Sequence, residues 1–162
     1  MSYGPTINVV LGNLVVCHRG ACLIYTNGSW RHLQNMMEDR IWQSSASTSV
    51  AVLLLGGYSF SSGQGSILTT ELIPLDGSAA FEGPFKIRHS WDHCTIQISE
   101  DIFILTGGRY TSNLVTEYTM TGKERQMSSL LLGRAGHACS TYYNQGTQDQ
   151  ARNFSSFCLK LL

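Results

Sequence analysis

"VAVLLLGGYSF", Val50 to Phe60, runs six apolar residues into a pair of glycines, and "DIFILTGGRYT", Asp101 to Thr111, repeats the arrangement. Apolar runs of this length, rich in Val, Ile, Leu and Phe, are too short for buried helices and read as strands covered on both faces. Gly56 and Gly107 stand 51 residues apart, and His93 and His137 stand 44 apart. Turn signals recur between these anchors, at Asn27-Gly28, Gly63 to Ser66, Asp76-Gly77, Thr121-Gly122 and Asn144 to Gly146. The rhythm predicts an all-β chain built from a repeated unit. One segment competes with it: in "RHLQNMMEDRIWQ" the residues Leu33, Met36, Met37, Arg40 and Ile41 fall at helical spacing.

Bulk properties narrow the function classes. Of the 162 residues 43% are hydrophobic and 14% charged, which is a globular composition able to bury a core. Eleven basic residues balance eleven acidic ones with no block of either sign, so neither nucleic acid nor a membrane surface is expected as a partner. The N-terminus lacks a basic start before an apolar run, and no stretch approaches the ~20 apolar residues of a membrane span. The chain reads as soluble, with the cytoplasm favoured. Five cysteines, Cys17, Cys22, Cys94, Cys139 and Cys158, make an odd set without a CxxC pair, so buried free thiols are expected rather than a disulfide framework or a zinc site.

Set in register, further positions match: "YTNGSWRHLQNMMEDR" beside "EYTMTGKERQMSSLLLGR", and "HCTIQ" beside "HACST". A buried strand into Gly-Gly, a loop, a strand carrying Tyr, then Trp, then Arg before the next strand resembles the Kelch repeat, whose blades span ~50 residues. The stretches "TTELIPLDG", "ILTGG" and "GRAGHAC" are similar in wording to invertebrate Kelch-repeat proteins. The resemblance covers roughly Leu14 to Gln145. It implies about three four-stranded antiparallel blades, a partial β-propeller in the form of an open arc, since closed propellers use four to eight blades. The units run 14–57, 58–108 and 109–146, between an N-terminal segment 1–13 and an off-pattern, truncated-looking tail 147–162. Unit 1 lacks Gly-Gly: "LVVCHRG" or "INVVLGN" takes its place, the former preferred. An open arc leaves blade faces and edges uncovered, which points to self-association.

Candidate chemistry is sparse. Gly56, Gly57, Gly63 and Gly65 are not followed by the Gly-Lys-Ser/Thr of a phosphate loop. His89, His93 and Cys94, or Cys17, His18 and Cys22, make incomplete ligand sets, so no metal and no cofactor are expected; His93 and His137 are read as framework residues. No nucleophile motif appears, so no catalytic residue is named. The function expected is a non-catalytic protein-interaction module, with a fragment of a propeller enzyme such as a sugar oxidase or isomerase as the alternative. In peptide-binding Kelch proteins the loops after Gly-Gly and the segments leading into the inner strands line the ligand pocket. By position the resemblance implies Tyr58, Arg109 and Tyr110, with Arg40 and Arg134, as the surface for a protein or acidic peptide. Arg supplies a planar fork for carboxylates, and Tyr rigid area with a hydroxyl.

Overall fold

The computed structural model describes residues 5–61, 65–89, 91–140 and 157–159. Among them every regular element is a strand. The first sheet holds β1 (Thr6–Val10), β2 (Asn13–His18), β3 (Ala21–Thr26) and β4 (Ser29–Asn35), the second β5 (Ser44–Ser47), β6 (Ala51–Ser59), β7 (Gly65–Pro74) and β8 (Phe81–Lys86), and the third β9 (His93–Ser99), β10 (Ile102–Gly107), β11 (Val115–Thr119) and β12 (Glu124–Gln126). Each is an antiparallel meander in chain order. β13 (Ala138–Ser140) pairs with β14 (Phe157–Leu159).

The hairpins of the first sheet follow from turn chemistry. Leu11-Gly12, Arg19-Gly20 and Asn27-Gly28 all have positive φ at both residues, the two-residue turn whose twist matches that of the flanking strands. The run from Ala51 to Leu55 is buried throughout because its two faces serve two cores. Val52 and Leu54 pack with Val15, Ile24 and Leu33 of the first sheet. Leu53 and Leu55 pack with Phe103, Leu105 and Tyr118 of the third. A third core gathers Ile96, Ile104 and Val115 with Met127, Leu130 and Cys139. The first strands of successive sheets, β1, β5, β9 and then β13, lie side by side, and polar pairs join them: Asn8 Nδ2 donates to Ser45 Oγ at 2.8 Å, and Ser47 N to Gln97 Oε1 at 2.9 Å.

In "RHLQN" the all-β expectation holds over the competing helical spacing: the segment is strand β4, because its cross-strand partner β3 and the core under Leu33 decide the conformation. Residues 6–10, within the N-terminal segment 1–13, form the first strand of a sheet. The sheets are phased differently from the sequence units, whose breaks fall at the end of the second strand in the second and third sheets and at the start of β2 in the first. "LVVCHRG" supplies the second strand of its sheet, as "VAVLLLGG" does, and "INVVLGN" the first. Four of the cysteines are disulfides rather than free thiols. Cys17 and Cys22 are direct cross-strand partners either side of a tight turn, and Cys94 joins β9 to Cys139 of β13, 45 residues on. Of the tail 147–162, only Phe157–Leu159 falls within the described residues.

Phe103, 0% exposed between two sheets, is the aromatic on which the second core closes. Phe103→Ala is expected to cost ~3–5 kcal/mol in chemical denaturation, whereas Leu11→Ala, in an exposed turn, should stay within ~0.5 kcal/mol. Equal midpoints for the two variants would contradict this core.

Candidate functional site

Both Gly-Gly pairs adopt one backbone geometry, φ of 59° and 119° at Gly56 and Gly57, and 68° and 114° at Gly107 and Gly108. The glycines are needed for room as well as for φ. A Cβ on Gly57 would lie 2.9 Å from the Ile41 carbonyl oxygen, and one on Gly107 would collide with the Arg134 carbonyl. Through these approaches the segments entering β5, β9 and β13 close onto the strands that leave the sheets. Tyr58 and Ile41 exchange both backbone hydrogen bonds, at 2.9 and 3.0 Å, and Arg109 N donates to Trp91 O at 2.9 Å. One left-handed residue sits in each entering segment, Trp42 (φ 53°), Asp92 (φ 57°) and Gly136 (φ 61°). These three are wired in series: Asp92 N donates to Trp42 O at 3.1 Å, and Gly136 N to Asp92 O at 2.8 Å.

That wiring brings aromatic rings from two sheets into one cluster. Trp42 stacks on Trp91 with centroids 4.8 Å apart and planes 22° apart. Tyr58 meets Trp91 edge-on at 5.6 Å, Phe60 meets Tyr58 at 5.0 Å, and Tyr110 meets Trp91 at 6.2 Å. Arg109 Cζ lies 5.2 Å over the Trp91 ring, a cation–π placement. Phe60 is 50% and Tyr110 78% exposed, while the two tryptophans and Tyr58 are half-buried. Beside Phe60, a cleft of about 190 Å³ is lined by Arg19, Asp39 and Ile41. Asp92 lies within the field of Arg109; burial raises its pKa and the guanidinium draws it back down.

Of the five residues expected at a docking surface, Tyr58, Arg109 and Tyr110 meet around Trp91, and Arg134 lies in the entering segment whose backbone accepts from Gly108 N. Arg40 does not belong with them. Its side chain is 1% exposed and its Nη2 pairs at 2.9 Å with Glu71, equally buried, while Nη1 donates to the carbonyls of Gly56 and Thr69. Glu71 Oε1 in turn accepts from Met37 N. Burial lowers the Arg40 pKa and raises that of Glu71, so the pair fastens the β4–β5 connection to β7 at a desolvation cost. Sequence reasoning missed Trp42, Trp91 and Arg19. The 49-residue interval between the tryptophans matches the repeat and could have found them.

Behind the cluster three histidines occupy the junction of the second sheet, the third sheet and β13. His89 Nδ1 lies 2.7 Å from Gly107 O, which can only accept, so Nδ1 carries the proton and Nε2 accepts from Thr116 Oγ1 at 3.2 Å. His93 Nε2 bonds Ser44 Oγ at 2.7 Å, and His137 Nε2 bonds Thr106 Oγ1 at 2.9 Å. Burial lowers the pKa of all three. For His93, desolvation with the added field of His89 and His137 brings it to about 3.

No family model matches the chain, and no curated protein matches it. Solved structures do: YjhT superposes with a TM-score of 0.72 over 83% of this chain at 11% identity. The chain spans 54% of that structure, about half its length. At this identity the likeness is one of fold alone: an all-β arrangement of repeated four-stranded sheets.

Two outcomes follow from the buried groups. Arg40→Ala should destabilise by ~3–5 kcal/mol by leaving Glu71 buried without its partner, and Arg40→Met/Glu71→Leu should recover much of the loss. A thermal melt of the double variant no better than that of the single would refute the pairing. The histidines bind protons more readily unfolded than folded, so stability is full above their unfolded pKa of about 6.5 and falls as the pH drops toward 3. Between pH 6.5 and 5 the wild type should lose up to ~1.4 kcal/mol per pH unit for each histidine titrating. His93→Gln should flatten that slope in urea titrations across the same window.

Proposed function

We propose that the chain is an arc of about three Kelch-type blades of a β-propeller and serves as a non-catalytic protein-interaction module for an acidic peptide or protein surface. The propeller reading is supported by the chain-ordered meanders, the first strands lying side by side, the repeated Gly-Gly geometry and the likeness to a longer structure of which the chain spans 54%. The binding reading is carried by one observation, the part-exposed aromatic cluster around Trp91 with Arg109 over its ring. Trp, Tyr and Arg are the side chains that concentrate binding energy at interfaces: rigid area that loses little entropy, joined to a fork that binds carboxylates. Arg19, Arg109 and Arg134 outnumber Asp39 and Asp92 in the same region, which favours an acidic partner over a basic one.

The test is affinity selection of acidic peptides on the wild-type chain, followed by titration of a selected peptide. Arg109→Ala and Tyr110→Ala are each expected to weaken binding by about tenfold or more, and Arg109→Ala to reduce its salt dependence as well. Arg125→Ala, which breaks an exposed ion pair with Glu117 on the outermost strand of its sheet, should leave affinity unchanged. Peptides that bind all three variants alike would place the docking surface elsewhere.

A further inference from the structure

Asn27, Gly28 and Ser29 form an Asn-x-Ser triplet without proline at its centre, the acceptor pattern for carbohydrate joined through the asparagine amide. Of the seven asparagines in the sequence, only Asn27 and Asn153 have Ser or Thr two positions on. Asn153 lies outside the described residues, which leaves Asn27 as the acceptor whose surroundings can be read.

The triplet is the turn between β3 and β4. Asn27 (φ 51°) and Gly28 (φ 80°) are its two central residues, Thr26 pairs with Ser29 across it, and Asn27 to Ser29 are all exposed. Other asparagines of this sheet are engaged: Asn8 Nδ2 donates to Ser45 Oγ, Asn13 Nδ2 to Leu11 O, and Asn35 Oδ1 accepts from His32. Among the described residues none hydrogen-bonds the Asn27 amide, and the space beside Gly28 is open to 4 Å. The turn closes the hairpin at the β4 edge of the sheet and projects along the strands. Sheets in this chain stack face on face, so a further sheet laid on either face of the first leaves the tip of this turn in solvent.

The second observation is independent of the triplet. Cys17–Cys22 in the same sheet and Cys94–Cys139 are cystines, which form and persist in oxidising compartments. Asparagine-linked carbohydrate is added in the same surroundings.

We propose that Asn27 carries an N-linked glycan. In the transfer, Asn27 Nδ2 attacks the anomeric carbon of an N-acetylglucosamine held in a lipid-linked oligosaccharyl diphosphate. The new C–N bond forms as the bond from that carbon to the diphosphate oxygen breaks. One Nδ2 proton passes to a base of the transferase, the lipid diphosphate leaves, and no atom changes oxidation state overall. The Ser29 hydroxyl is the group the transferase reads two residues on. Strand β3, six residues or about 20 Å long, separates Asn27 from the Arg19-Gly20 turn beside the aromatic cluster, so the attachment point lies at the other end of the sheet from that cluster. The proposal is independent of the peptide reading.

The full chain, directed into the secretory lumen of eukaryotic cells, provides the test. An amidase that releases N-linked glycans is applied in water enriched in oxygen-18, and peptide mapping locates the label. The wild type should carry the label at Asn27. Asn27→Gln and Ser29→Ala should each abolish it there, Ser29→Thr should retain it, and Asn153→Gln should leave it unchanged. Before release, the glycosylated chain should keep its strand-rich far-UV circular dichroism and show Cys17, Cys22, Cys94 and Cys139 unreactive toward thiol reagents. The protein isolated from its own cells should give the same label at Asn27. An unlabelled Asn27 in either preparation, a label that survives Ser29→Ala, or a glycosylated chain without its fold or its cystines overturns the proposal.

Discussion

The structure depends on the burial of β6 on both sides. A strand whose successive residues are all apolar has no face to give to water, and two sheets must flank it before its transfer energy is realised. Val52 and Leu54 supply one side and Leu53 and Leu55 the other, so the same five-residue run organises two of the three cores. Phe103 and Leu105 do for the third sheet what Val52 and Leu54 do for the second. Every neighbouring sheet is thereby fixed by one strand's lack of a polar side.

Burying a strand so completely leaves the chain to escape between closely packed layers, and the glycine pairs provide the exit. Their positive φ values turn the chain, and their missing Cβ atoms let the entering segment of the same or next sheet lie against them. The Arg40–Glu71 pair fastens the β4–β5 connection that carries Trp42. A salt bridge at this depth contributes little net stability, and its removal by halves is what the fold tolerates least. The aromatic cluster is thus the exposed end of the same device that closes the core.

Around Trp91 the rings are mixed with arginine and aspartate, a composition suited to a contact that forms and dissolves. The cystines Cys17–Cys22 and Cys94–Cys139 lie at the two ends of the stack of sheets, one in the first sheet and one linking β9 to β13. Such bonds persist in oxidising surroundings.

Local patterns in the chain were sufficient for the strands around both Gly-Gly pairs and for turns such as Asn27-Gly28. Each of these follows from short-range chemistry: unbroken apolar runs, positive φ, and repetition at a near-constant interval. Tertiary structure alone decided the rest. Arg40 looked like a surface cation because nothing local announces Glu71, 31 residues away and across a sheet. Helical spacing in "RHLQNMMEDRIWQ" yielded to β3, whose hydrogen bonds and core contacts outweigh propensity. Cys94 and Cys139 are neighbours only because β9 and β13 are, and Trp42 meets Trp91 only because two left-handed residues are bonded in series. The periodicity of a sequence reports which side of a strand is buried; which residue lies opposite is set by the packing of one sheet on the next.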